Sequence, residues 1–128
     1  MVKKLTESTE DYLEAILLLS NETDVVRVKD ISKKMSVKMP SVHMALHILE
    51  DNGFVIHHHY GHVELTDLGR KRASDIYATH QLLVGFLTEI LKVPKEQAEL
   101  DACKMEHVIS KQTLSRLSEF IQKSDKYL

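Results

Sequence analysis

The sequence has 128 residues, is 43% hydrophobic and 28% charged, and carries a formal net charge of -2, an ordinary soluble balance for one domain or two small ones sharing a core. With 4 Gly, 2 Pro and no Trp, breakers and aromatics are scarce, which favours a mostly helical chain. The apolar run at residues 15–19 is too short and too polar-flanked for a membrane span and no cleavage site follows it, while the single cysteine, Cys103, excludes an internal disulfide, so a cytoplasmic protein without a membrane partner is expected.

A net charge near neutrality does not announce a nucleic-acid binder, but the distribution is informative. Between Arg27 and His47 there are five bases (Arg27, Lys29, Lys33, Lys34 and Lys38) against one acid, Asp30, and Arg70, Lys71 and Arg72 follow as a second basic run. Acids gather at Glu7, Glu10, Asp11 and Glu14, then at Glu96, Glu99, Asp101 and Glu106. A basic stripe on an acidic body suggests two surfaces with different partners, although solvated helix faces would look the same.

In chain order, residues 9–20 (TEDYLEAILLLS) form the first expected helix, with Leu13, Ile16, Leu17 and Ser20 at helical spacing and Ser8 or Thr9 as its cap. Ile31 and Met35, four apart, mark a short second helix, and Val37 falls in a break. Pro40 pre-sets the first turn of a third helix, along which Val42, Leu46 and Leu49 continue one apolar face until Gly53 ends it. Two short helices with a tight turn are a helix-turn-helix, whose second helix turns Ser41, His43, Met44 and His47 outward behind Lys38. A helical hairpin in a bundle core would explain Val42, Leu46 and Leu49 equally well. It does not explain VIHHHYGHVELT, which alternates apolar and polar around His59, Tyr60 and Gly61 as a two-stranded hairpin does. Together these make a winged helix-turn-helix, and point to a double-stranded DNA operator as partner. The expected contacts are Arg27, Lys29, Lys33, Lys38, Pro40, Ser41, His43, Met44 and His47, with His58, His59 and Tyr60 of the wing near the backbone. No Arg or Lys lies between Ser41 and Asp51, so bidentate guanine contacts are unavailable there and affinity should rest on flanking lysines. His57, His58 and His59 cannot all converge on an ion, because adjacent strand residues face opposite ways.

Thr66 caps a long helix, expected to run over 66–92, on which Ile76, His80, Leu83 and Leu87 form one stripe. Val93-Pro94 breaks it, and Pro94 opens the next helix. Ser110 caps the last, where Leu114, Leu117, Phe120 and Ile121 make an apolar face. The expected division is a winged helix-turn-helix domain over 1–70 and a helical domain over 71–128 that joins two protomers in a homodimer, since operators are commonly two-fold.

On the helix through DACKMEHVIS, Glu99, Cys103, Glu106 and His107 fall within roughly a third of the circumference. Thiolate, carboxylate and imidazole suit a divalent transition ion, but a buried thiol beside two surface groups would read the same. Asp11 and Glu14 share a face of the first helix, where dipole stabilisation alone accounts for Asp11, and His80 interrupts an apolar stripe, where a hydrogen-bonded core histidine is the bland account. One cation would satisfy all three helices together.

STEDYLEAI, the winged segment from Val28 to Thr66, THQLLVGFL and DACKMEHVIS, taken in order over nearly the whole chain, resemble the diphtheria-toxin-repressor and manganese-transport-regulator family of metal-dependent repressors. The resemblance implies a mainly α fold, a winged helix-turn-helix followed by a metal-binding and dimerisation domain, with residues 8–20 also giving ligands. It implies Fe²⁺ or Mn²⁺ as corepressor for metal-uptake genes, with Zn²⁺ or Co²⁺ binding in vitro, and ligands at Asp11, Glu14, His80, Cys103, Glu106 and His107. The match is a hybrid. Asp11 and Glu14 follow the manganese-type pattern, Cys103 the iron type. Glu99 stands where iron-type members bind an ancillary ion and is the candidate for a second metal, but Val84 replaces the acid they carry after His80. The sequence reaches Leu128 without length for the SH3-like third domain of longer members. The alternatives are a winged-helix repressor controlled by a small organic ligand, a metal-dependent enzyme, and a metal carrier. Enzyme chemistry is disfavoured because no loop offers a nucleophile or phosphate cradle, and a carrier has no use for the winged helix.

Overall fold

A computed structural model describes residues 5–125, and the fold is mainly helical with one small sheet. Helix α1 spans Glu7–Glu22, longer at both ends than the 9–20 expected. It starts earlier because Thr6, rather than Ser8 or Thr9, is the cap: its hydroxyl accepts from the Thr9 amide at 3.2 Å, and the Thr9 side chain returns the contact to the Thr6 amide at 3.1 Å. Reciprocal capping satisfies two amide donors that the first turn cannot pair internally.

Strand β1 (Val26–Arg27) leads into α2 (Val28–Met35), whose start is fixed by the Arg27 amide donating to the Asp30 carboxylate at 3.0 Å. Ser36 ends α2 in a left-handed conformation at φ 55°, making the tight turn. Helix α3 (Met39–Asp51) follows, with Lys38 at its cap and Pro40 in its first turn, where the missing amide hydrogen costs nothing. It closes on Gly53 at φ +78°, with the Phe54 amide donating to the Leu49 carbonyl at 2.9 Å and the Gly53 amide to Glu50 at 3.0 Å. That bond pair requires a left-handed residue, which glycine supplies without strain.

The wing is β2 (Val55–His57) and β3 (His62–Leu65), antiparallel, with Val55 opposite Leu65 and His57 opposite Val63. The sheet has three strands rather than the two expected, because β1 pairs with the outer edge of β3 through Val26–Val63 and Arg27–His62. Two residues are too few to show periodicity, so this strand is invisible in the sequence pattern. Helices α1, α2 and α3 pack on one another, burying Leu13, Ile16, Ile31, Val42 and Leu49 completely.

Thr66 joins the wing to helix α4 (Asp67–Gly85). Its hydroxyl donates to the Gly53 carbonyl at 2.6 Å and accepts from the Gly69 amide at 3.0 Å, while its amide donates to the Phe54 carbonyl at 3.1 Å. Gly69 sits so close that a Cβ there would lie 1.8 Å from the Phe54 oxygen.

The expected helix over 66–92 stops being α-helical at Gly85. Phe86–Ile90 is a π-helical stretch, and Lys92 is left-handed at φ 58°. Leu83 and Leu87 keep the apolar stripe going across this junction, so periodicity alone could not reveal it. Pro94 then caps α5 (Lys95–Met105), and α6 (Lys111–Asp125) begins behind Ser110, whose hydroxyl accepts from the Thr113 amide at 3.1 Å. Contacts divide the chain into two compact units between Asp75 and Ile76. The second unit has its own core of Leu83, Leu87, Ala98 and Ala102, with Phe86, Met105 and Leu117 against it. None of the helices among the described residues is long and apolar enough to cross a membrane.

Candidate nucleic-acid interface and metal centre

In the first unit, the buried face of α3 (Val42, Ala45, Leu46 and Leu49) fixes the helix's rotation. Ser41, His43, Met44 and His47 are consequently exposed, as the spacing predicts. Lys38 stands at the α3 N-terminus, Lys29 and Lys33 are exposed on α2, and Arg27 is exposed on β1. Arg27, Lys29, Met39, His43, His57 and His59 line a cleft of about 420 Å³ between α3 and the wing. The His43 and His57 ring centroids are 5.6 Å apart.

The wing histidines part company, because β2 ends at His57 and His59 lies in the turn that follows. His58 Nε2 lies 3.0 Å from the Glu64 carboxylate and its ring stacks on Tyr60 at 5.1 Å, while His59 meets Tyr60 edge-on at 5.3 Å. His59 and Tyr60 are exposed at the tip. Sequence reasoning omitted Met39, Ile48 and His57 from this surface. Met39 and Ile48 lie off the core stripe of α3, and that absence was the only available signal.

In the second unit, His80 of α4 is held between two carboxylates. Its Nδ1 is 2.8 Å from Glu106 Oε2 and its Nε2 is 2.7 Å from Glu99 Oε2. Glu106 Oε1 is 3.3 Å from His107 Nε2. Local structure explains the convergence. His80 shares the stripe of Ile76, Leu83 and Leu87, so it faces inward. On α5, the small residues Ala98 and Ala102 are fully buried, and Glu99 and Cys103 stand one step further round on the same pair of turns. The helix ends earlier than expected. Met105 is its last residue, Glu106 is the cap at φ -60°, and His107 lies in the turn beyond. Cys103 is half-buried.

Glu106 and His107 have side chains only 1% and 2% exposed. A carboxylate that deep costs several kcal/mol unless compensated, and here the His80 imidazole bonds one of its oxygens while His107 lies beside the other. A neutral imidazole donates from one ring nitrogen only, so the two carboxylates on His80 together need one proton more than the neutral ring holds. A set of carboxylate and imidazole donors, buried except at the half-exposed Glu99, with a thiol one turn away, fits a divalent transition ion. Asp11 and Glu14 lie one turn apart on α1 in the first unit, each half-buried beside the buried Tyr12, Leu13 and Ala15.

Residues 4–63 match a family model described as iron dependent repressor, N-terminal DNA binding domain, and residues 66–126 match its companion, the iron dependent repressor metal binding and dimerisation domain. An HTH-type transcriptional regulator of Methanocaldococcus jannaschii is 32% identical over 93% of this chain and 96% of its own. The HTH-type transcriptional regulator MntR of Geobacillus kaustophilus is 32% identical over 91% of this chain and 82% of its own. Among solved structures, the manganese regulator SloR superposes with a TM-score of 0.80 at 30% identity over 92% of this chain, which spans 55% of SloR's length.

Proposed function

Because this chain belongs to the iron dependent repressor family, whose members are metal-dependent DNA-binding transcriptional regulators and not enzymes, we propose that it represses metal-uptake genes with Fe²⁺ or Mn²⁺ as corepressor. The observation that carries this reading is the His80–Glu99–Glu106–His107 cluster, buried at Glu106 and His107 and half-exposed at Glu99, whose donors call for a positive charge among them. The ligand set we assign is Asp11, Glu14, His80, Cys103, Glu106 and His107, with Glu99 serving a second ion. The manganese regulator SloR, a relative in fold and sequence, supports a divalent ion. Cys103 favours softer ions and the carboxylates harder ones, so Zn²⁺ and Co²⁺ bind as well in vitro. Such a protein works in the cytoplasm, as a homodimer on a two-fold operator.

A bound divalent cation supplies two positive charges that carboxylates and imidazoles otherwise lack. Every other part of the mechanism belongs to the chain. Without the cation, Glu99 and Glu106 rest on the imidazoles beside them, and the Asp11 and Glu14 carboxylates on α1 repel other acids brought near them. With their charge neutralised, the elements bearing these groups hold one arrangement, and each α3 presents its exposed face to one half-site. A coupling of ~1–3 kcal/mol changes operator affinity roughly 5–150-fold, and linkage makes the operator tighten metal binding equally.

The test is binding of the full chain to duplexes from metal-uptake promoters, with a panel of divalent ions and with chelator. Tight binding only with Fe²⁺ or Mn²⁺ supports the reading. Equal binding in chelator refutes it.

A further inference from the structure

We propose that Met44 is a specificity-determining residue of the reading helix and that it recognises the C5-methyl group of a thymine in the major groove. The buried residues of α3 fix where this side chain points. At about 100° per residue, Met44 falls roughly 200° round the helix from the fully buried Val42, directly away from the core. It is 70% exposed, more than Met39 at 45% or Ile48 at 44%, and no residue of its own unit covers it. It stands in the second turn of α3, the part of a reading helix that reaches base edges.

The chemistry of the surrounding face narrows what Met44 can read. Between Ser41 and Asp51 there is no Arg or Lys, so guanine cannot be taken in the usual bidentate way. His47, on the same outer face, lies 3.4 Å from Asp51, which sets an acid beside it, and Glu50 accepts from the His57 amide at 2.8 Å, so neither offers the apolar contact that Met44 does. An apolar side chain discriminates in the major groove only through the thymine methyl, the one apolar group displayed there. Methionine, unbranched and with three rotatable bonds, can follow that methyl across the groove floor. Ile48 lies a turn nearer the acidic end of α3, beside Glu50 and Asp51, whose charges keep that end away from the bases. The inference depends on the DNA-binding domain and not on which metal is corepressor, so it stands or falls separately from the proposed regulation.

The experiment uses the full chain, in parallel with Mn²⁺, with Fe²⁺, with Zn²⁺ and with chelator, to select duplexes from a random pool, and takes forward whichever condition binds DNA. Each thymine of the selected site is then replaced singly by deoxyuridine, which removes only the methyl. The expected result is one thymine per half-site whose methyl is worth about fourfold in affinity, the value of one buried carbon. Met44→Ala should abolish that difference there and leave the response at other thymines unchanged. Its metal affinity and melting temperature should match the parent, since the side chain is exposed. Met44→Leu should retain part of the discrimination. The proposal is overturned if selection yields no preferred sequence, if no thymine shows a methyl effect, or if Met44→Ala preserves the whole effect. A Met44→Ala protein with altered oligomeric state and intact discrimination would assign this face to a second copy of the chain, and overturn it too.

Discussion

Gly69→Ala should destabilise the DNA-binding unit by about 2 kcal/mol, although alanine is the better helix former. A Cβ at Gly69 would lie 1.8 Å from the Phe54 carbonyl oxygen and 2.8 Å from its carbon, and both are backbone atoms that no rotamer change can move. Reaching an ordinary contact requires the first turn of α4 to back away by more than an ångström. That movement strains three hydrogen bonds made by Thr66, to Gly53, Phe54 and Gly69, each worth about 1 kcal/mol. Helix propensity returns about 1 kcal/mol, leaving a net loss near 2. For a unit of this size the transition should fall by roughly 8–16 °C, read by thermal unfolding in circular dichroism. Gly85→Ala is the internal control. It sits at the other end of α4, in ordinary helical conformation at φ -59°, with nothing within 4 Å of the added Cβ. It should gain up to about 1 kcal/mol. If Gly69→Ala melts at or above the parent temperature, the close approach of α4 to Phe54 is wrong.

Glu106→Gln should weaken divalent-ion binding by at least about 10-fold in titration calorimetry while leaving the far-ultraviolet spectrum intact; unchanged affinity would remove Glu106 from the ligand set. Metal affinity should fall as pH drops from neutrality, because Cys103 must lose its proton and the histidines must be neutral to bind. Calorimetry in buffers of different ionisation enthalpy should register proton release, and its absence would place Cys103 outside the site. Lys38→Ala should weaken binding to all duplexes similarly and lower the salt slope by about one, whereas loss confined to one sequence would contradict a phosphate role.

The reading head is legible in the sequence because its core obeys simple periods. Val42, Leu46 and Leu49 leave only one way for α3 to face, and the alternation from Val55 to Leu65 can only be a hairpin. Strand β1 is lost because two residues have no period. The π-helical stretch is lost for the opposite reason, since Leu83 and Leu87 keep a helical stripe through a change of helix type. In the candidate metal centre, side-chain types announce His80, Glu106 and His107. The pairing of His80 with Glu99 depends on how α5 packs, and Ala98 and Ala102 reveal that only once their neighbours are known. The early end of α5 at Met105 has no signal at all, since Glu106 and His107 suit a helix as well as a turn.

The π-helical stretch also decides which mutations this unit tolerates. It places about one extra residue per turn between His80 and the helix that carries Glu99 and Cys103 and is capped by Glu106. A substitution at Thr88 or Glu89 changes one side chain and leaves the count alone. Loss of a single residue from 86 to 90 would let the stretch close to an ordinary helix in register, whereas loss of one from the α-helical residues 81 to 85 would turn everything after it by about 100°. The donors on α5 would then miss His80 while every donor remained in the sequence. Related chains should therefore keep Leu87 apolar, vary at the exposed Glu89, and hardly differ in length between His80 and Gly85.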